Sequence, residues 1–192
     1  RQSRNNDDKE IKILVKEKNR NHINEAFRMI RTSLDFMTDS NKKCNVIMTT
    51  SFNPGSGKSF ISLNLASTLA LKDNKRVLVI DLDLRRASLS KFIDSPIHGL
   101  SSYLTNKISN FDDIIIKNPK DSIIDILPIG AIPPNPSELL LNERYDKLID
   151  DLKEVYDYII LDCPPLGIVA DTSISSRKAD VSIFIIRAGL FD

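Results

Sequence analysis

Long hydrophobic runs are missing from this 192-residue chain, and their absence removes one class of protein at once. The longest apolar stretch, Ile183-Phe184-Ile185-Ile186, falls far short of the ~20 residues a bilayer crossing requires and suits a buried strand. An excess of one charge is also missing. Lys and Arg number 27 against 26 acidic residues, so no overall field draws the chain to nucleic acid or an anionic surface. Cysteine is scarce: Cys44 and Cys163 lie far apart in apolar segments. Two cysteines cannot build a disulfide framework, which points to a reducing compartment. The two histidines, His22 and His98, lack metal-site spacing. These residues show no signal-peptide pattern, internal repeat or low-complexity tract. The chain opens on Arg1 rather than methionine and stops at Asp192 directly after a strand-like run, so both ends are expected to be cuts in a longer polypeptide.

What remains is a soluble globular composition, 41% hydrophobic and 28% charged, at a length that fits one domain with a real core. Residues 1–20 are expected to form a flexible arm or linker, its first dozen residues polar and charged, and 21–192 the folded domain, truncated at its C-terminus. Ile23, Ala26, Phe27, Ile30 and Leu34 recur at helical spacing and predict a helix over Asn21–Met37. Strands are predicted at Cys44–Thr50, Arg76–Asp81, Ser122–Pro128, Asp157–Asp162 and Val181–Arg187. Helices are predicted at Ser59–Leu71, Pro136–Val155 and Asp171–Lys178. The longest of these starts at an Asn135 cap, with Pro136 in the first position and Glu138 near the free N–H groups. Near-continuous apolar strands separated by helices indicate an α/β fold, a doubly wound and mostly parallel sheet.

Three segments carry chemistry. Pro54-Gly55-Ser56-Gly57-Lys58-Ser59 joins a strand to a helix. Its glycines let main chain approach an anion, Lys58 can reach terminal phosphates, and the Ser59 hydroxyl can ligate Mg²⁺. The general phosphate-loop pattern is broken at its first glycine, where Phe52 stands. Taken alone, the segment can also be an ordinary Gly/Ser turn. Asp81-Leu82-Asp83 and Asp162-Cys163-Pro164-Pro165 each follow an apolar strand. Ligands of open parallel sheets sit beyond the carboxyl ends of strands, so Asp81, Asp83 and Asp162 are placed to serve a metal or a phosphate. Either aspartate segment alone can equally be a surface cap on a strand end.

These segments, Asn53 to Ser59, Val79 to Arg85 and Ile160 to Pro165, resemble the Walker A, Walker A′ and Walker B motifs of bacterial tyrosine kinases, the cytoplasmic kinase domains of exopolysaccharide and capsule co-polymerases. Gly99-Leu100-Ser101 and Gly130 with Pro133 to Leu140 resemble further family segments, and Glu25, Arg28 and Arg31 match its E-x-x-R-x-x-R oligomerisation motif. The resemblance runs from about Ile23 to Arg187. It implies a P-loop fold of the deviant Walker ATPase type and ATP-dependent tyrosine phosphorylation that regulates exopolysaccharide or capsule synthesis. Related ATPases that partition DNA or place division sites carry a lysine where this chain has Asn53. Ala87 departs from the proline expected there, a change expected to alter only a turn.

On this resemblance, ATP and Mg²⁺ are the cofactors. Asn53, Pro54, Gly55, Ser56, Gly57, Lys58, Ser59, Phe60 and Arg85 would bind nucleotide. Lys58, Asp81, Asp83 and Asp162 would be catalytic, with Asp81 orienting or deprotonating the attacking phenol. Ser59, Asp83 and Asp162 would hold the metal, and Arg85 or Arg86 would steady transferred charge. Glu25, Arg28 and Arg31, expected largely opposite the apolar stripe of their helix, would join subunits into a ring. By itself that face reads as solvated, with one Glu–Arg pair. The implied partners are other copies of the chain, a transmembrane co-polymerase portion and tyrosine-containing proteins, not nucleic acid. The implied location is the cytoplasmic side of the bacterial inner membrane. Tyr103, Tyr145, Tyr156 and Tyr158 form no terminal cluster, which leaves the acceptor open. Two rival readings stand beside the kinase: a partitioning-type ATPase switch, and a nucleotide-controlled structural module that transfers nothing. A metal–sulfur assembly factor would use Cys163, but no second cysteine lies near it.

Overall fold

The computed structural model describes residues 11–17, 21–39, 41–83, 86–132, 136–166 and 177–189. Five strands form one parallel sheet: β1 (Asn45–Ser51), β2 (Val77–Asp81), β3 (Asp125–Leu127), β4 (Tyr158–Asp162) and β5 (Val181–Ile185). Their order across the sheet is β3-β2-β4-β1-β5. The central pairs place Thr49 opposite Asp162 and Asp81 opposite Asp162, so the two predicted aspartate strand ends finish side by side, Asp162 on β4 between Asp81 on β2 and Thr49 on β1.

Alternation along each strand feeds two cores. Val46, Met48, Leu78, Ile80, Ile159 and Leu161 face one side, under α4 (Leu100–Leu104) and α6 (Glu143–Lys153). Ile47, Val77, Val79 and Ile160 face the other, under α1 (His22–Met37), α2 (Lys58–Ala70) and α3 (Ser88–Phe92). This is the doubly wound α/β arrangement expected. α2 is buried without interruption from Ser62 to Ala70, because α1 covers its outer side. Three of its buried polar side chains close onto their own helix: Asn64, Ser67 and Thr68 each donate to the carbonyl four residues back. Among the described residues no helix is long and apolar enough to cross a membrane.

The structure departs from expectation at several elements. Residues 11–16, expected within an arm, lie along α2. The Asn64 amide accepts from Leu14 N (2.7 Å) and Val15 N (3.1 Å) and donates to Lys12 O (3.0 Å). On α1 the buried stripe is Asn24, Phe27 and Leu34, while Ile23 and Ala26 face outward. Arg31 falls near that stripe and donates to Thr68 O at 3.2 Å. It is therefore turned toward α2, where it caps a carbonyl near the helix end.

The single helix predicted over Pro136–Val155 is two, α5 (Pro136–Leu140) and α6, because Asn142 caps α6 by accepting from Arg144 N at 2.9 Å. An asparagine side chain offers the backbone this alternative to continuing a helix. Arg144 then anchors the start of α6 by donating to Tyr103 O and Ile108 O. The proposed cap Asn135 and the body of the predicted helix Asp171–Lys178 lie outside the described residues. Among the described residues β5 pairs with β1 alone, and Phe184 and Ile186 are 46% and 73% exposed, so this stretch is not the buried strand expected.

Two loops meet at the end of β3 so closely that glycine is obligatory. A Cβ on Gly99 would stand 2.4 Å from both Gly130 N and Pro128 O, and Gly130 itself has φ 77°. The contact brings the start of α4 against the main chain following β3, sealed by Leu100 N donating to Pro128 O and Ser101 N to Ile129 O.

Candidate functional site

The end of β1 turns into α2 through residues 52–57. The Asn53 carbonyl accepts from both Ser51 Oγ (2.8 Å) and Ser56 Oγ (2.7 Å), which folds the loop back on itself. Gly55 and Gly57 hold φ 75° and 90°, in the left-handed region where glycine is preferred. Gly57 is the N-cap of α2, and no side chain caps that end. The free N–H groups of a 13-residue helix therefore point at the space beyond the loop, an arrangement suited to an anion. Phe52, in place of the missing glycine, is turned outward and 53% exposed. Arg187, just past β5, donates to Gly55 O at 3.0 Å and holds the loop from the far side. Nothing in the loop pattern hinted at that contact.

A cavity of about 500 Å³ opens over this loop. Gly55, Gly57, Lys58, Ser59 and Phe60 form its floor; Asp83, Arg86 and Ser88 form one wall; Ile11, Lys12 and Leu14 form another. The loop residues and Asp83 are thus brought together as the motif spacing predicts. Lys58 is buried, and among the described residues its ammonium makes no hydrogen bond or ion pair. Arg85 lies outside the described residues; Arg86 supplies the arginine of the wall.

Asp162 sits directly behind Ser59. The Ser59 hydroxyl donates to Asp162 Oδ2 at 2.5 Å, and Ser62 donates to Oδ1 at 3.0 Å. Burial pushes the Asp162 carboxyl up to about 6, against the lowering effect of the Ser59 bond and the Lys58 charge. Asp81 is wholly buried and does not reach the cavity. Its Oδ1 accepts from Asp83 N (3.2 Å), and its Oδ2 accepts from Ser90 N (2.8 Å) and Ser90 Oγ (2.7 Å). Burial, followed by the nearby Asp162 charge, pushes its carboxyl up to about 7. The carboxylate that faces the cavity from this strand end is Asp83, and Asp81 holds the turn that presents it.

Ser90 is a residue that motif reading missed, because it comes nine positions after Asp81 and belongs to no pattern. It also accepts from Ile129 N at 3.1 Å, tying the β2 turn to the end of β3. Ala87 adopts φ 48°, a value closed to proline, whose ring fixes φ near −65°.

The three hard oxygen donors Ser59, Asp162 and Asp83 suit Mg²⁺. No group of three His, Cys, Asp or Glu side chains that could hold a metal ion forms among the described residues. Cys163 and Cys44 are both buried and form no disulfide among the described residues, with burial pushing the Cys44 thiol up to about 12. The Glu25 carboxylate pairs with Arg28 at 2.6 Å on the surface of α1, whereas Arg31 is engaged with α2. The three residues therefore do not present one free charged face.

Residues 44–190 match a family model described as an AAA domain. The chain is 40% identical over 169 residues to the tyrosine-protein kinase etk of Escherichia coli K12, covering 86% of this chain and 22% of that protein. It is 36% identical over 167 residues to the tyrosine-protein kinase CpsD of Streptococcus agalactiae serotype III, covering 86% of this chain and 69% of CpsD. The solved kinase domain of the E. coli tyrosine kinase ETK superposes with TM-score 0.81 at 38% identity, over 88% of this chain and 65% of that one. The septum site-determining protein MinD of Pyrococcus horikoshii, solved with Mg-ADP, superposes with TM-score 0.60 at 25% identity, over 74% of this chain and 57% of that one.

Proposed function

The chain belongs to the bacterial tyrosine kinase family, and on that footing we propose that its cavity binds ATP with Mg²⁺ and passes the γ-phosphoryl group to a tyrosine hydroxyl. The observation that carries this reading is the Ser59–Asp162 hydrogen bond, set at the uncapped start of α2 beside a lysine that makes no ion pair among the described residues. Phosphoryl transfer asks mainly for positioning and charge neutralisation. The α2 N–H groups and Lys58 hold the β- and γ-phosphates. Ser59, Asp162 and Asp83 hold the metal, which when bound supplies further neutralisation of the phosphate oxygens. Arg86 steadies charge from the wall, the part first given to Arg85 or Arg86.

The phenol oxygen bonds to the γ-phosphorus as the bond to ADP breaks, and the phenol proton must go to a carboxylate. Asp81, with a carboxyl raised to about 7, is matched to accept it near neutral pH once the turn that covers it shifts. Asp83 is the acceptor already in reach. Tyr103, Tyr145 and Tyr156 are buried, Tyr156 is bonded to Asp125, and the half-buried Tyr158 starts β4 at the end away from Asp162, so the acceptor is a tyrosine presented from outside this core.

Incubation with ATP and Mg²⁺ and a tyrosine-containing copolymer tests the reading, with phosphotyrosine as the expected product. An intact, nucleotide-bound protein that yields none would support the structural-module reading instead. Loss of product in Asp81→Asn with Mg²⁺-dependent ADP binding kept assigns the proton to Asp81, and retention of product assigns it to Asp83.

The chain spans 22% of the length of etk, and on the family resemblance the domain would serve a membrane-anchored exopolysaccharide or capsule co-polymerase on its cytoplasmic side. Subunits would meet through α1 around Glu25 and Arg28. A Glu25/Arg28/Arg31 triple alanine variant is expected to lower the solution mass, and an unchanged mass at equal concentration would remove the interface assignment.

A further inference from the structure

Asp162 is held by more than the phosphate loop. Thr49, directly opposite it on β1, and Ser62, one helical turn beyond Ser59 on α2, place two hydroxyls against its Oδ1 side. Thr49 Oγ1 and Ser62 Oγ lie 2.7 Å apart, Ser62 Oγ is 3.0 Å from Asp162 Oδ1, and Thr49 Oγ1 is 3.5 Å from the same oxygen. All three side chains are buried.

Each hydroxyl has one proton, and the acceptors outnumber the protons. Besides each other and Asp162, Thr49 can donate to Leu161 O (3.2 Å) and Ser62 to Lys58 O (3.0 Å). The shortest consistent arrangement beside a carboxylate runs in one direction, from Thr49 to Ser62 to Asp162 Oδ1. Hydroxyls in such a chain polarise one another, and a charged acceptor sets the direction. With Oδ1 occupied, the carboxylate cannot turn in its plane, and Oδ2 alone is offered toward Ser59.

We propose that Thr49 and Ser62 form a hydroxyl relay that positions Asp162 to present one oxygen at the metal side of the nucleotide site, with Ser62 the positioning residue. The proposal rests on the reading that the cavity takes ATP with Mg²⁺. Neither hydroxyl touches the cavity, so neither contacts substrate. Their effect passes through Asp162 and falls on the metal-dependent part of nucleotide binding.

Calorimetric titration of the 192-residue chain with ADP, once with Mg²⁺ and once with EDTA, separates that part. Ser62→Ala is expected to weaken binding of ADP with Mg²⁺ roughly tenfold and to leave binding in EDTA within about twofold, the loss of a hydrogen bond to a charged group. Thr49→Val, which keeps the shape and removes the hydroxyl, is expected to act the same way to a smaller extent. Thr49→Ser, which keeps the hydroxyl, is expected to restore the unmutated value. The double variant Thr49→Val/Ser62→Ala is expected to lose no more than Ser62→Ala alone, as members of one relay should.

Equal weakening with and without Mg²⁺, or no weakening in either single variant, would overturn the relay. Thr49→Val and Thr49→Ser decide the matter if Ser62→Ala fails to fold. Absence of any Mg²⁺-dependent ADP binding in the unmutated chain would instead overturn the nucleotide reading, and the relay with it.

Discussion

Lys58→Met is expected to remove tyrosine phosphorylation by about three orders of magnitude while leaving the domain folded. The fold should survive because the lysine stem is already buried against the start of α2, and methionine matches its length and its helix preference. The function should not survive, because Lys58 is the cation on the cavity floor and makes no ion pair among the described residues. A cation aimed at the charge that develops on a transferring phosphoryl group, in a site largely shut off from water, is worth roughly 10²–10³ in rate when one contact is removed. A fully charged donor to a phosphate belongs at the upper end of that range. Phosphotyrosine formation at saturating ATP, alongside a circular dichroism melt, checks both halves. A folded Lys58→Met protein that still phosphorylates tyrosine would end the assignment of this cavity as the transfer site.

How much of this site could be read in advance depends on where the determining contact lies along the chain. The phosphate loop was legible because its glycines, lysine and serine act within seven consecutive positions. The strands were legible because a parallel strand buried on both faces leaves an unbroken apolar run, as Val77 to Ile80 and Ile159 to Leu161 do. The split between α5 and α6 was not, because Asn142 interrupts a segment whose leucines and isoleucines keep helical spacing on either side. Arg31 reads as a surface charge until Thr68 O, thirty-seven positions away, is seen to accept from it. Residues 11–16 look like linker by position and charge, yet Ile11, Ile13 and Val15 alternate, and the Asn64 amide supplies the ladder bonds that a neighbouring strand would otherwise give. Asp81 and Asp83 were indistinguishable in sequence. Their roles separate only once Ser90 is found to occupy Asp81 from a helix no motif predicts.

The same burial that makes these aspartates useful makes them costly, and Asp162→Asn exposes the trade. Asp162 and Asp81 are fully enclosed side by side, with carboxyls pushed up to about 6 and about 7. A folded-state value raised above the unfolded one means that the folded protein binds protons more tightly. Stability from these groups is complete below about pH 4 and is lost as pH rises through 6 and 7. The nucleotide-free protein should therefore melt at a higher temperature at pH 5 than at pH 7.5, as far as these two groups decide it. Asp162→Asn removes one buried charge and relieves its neighbour. It should raise the melting temperature at pH 7.5, and the gain should shrink toward pH 5. Asparagine keeps the size and an oxygen, but it offers the metal no charge. Mg²⁺-dependent nucleotide binding and phosphorylation should therefore fall about 10²-fold or more. A variant more stable than the parent yet inactive is the pattern expected where a strained, charged site is kept for function. If Asp162→Asn instead melts lower at pH 7.5 and keeps its Mg²⁺-dependent ADP affinity, Asp162 is a structural residue, and the metal must be held from Ser59 and Asp83.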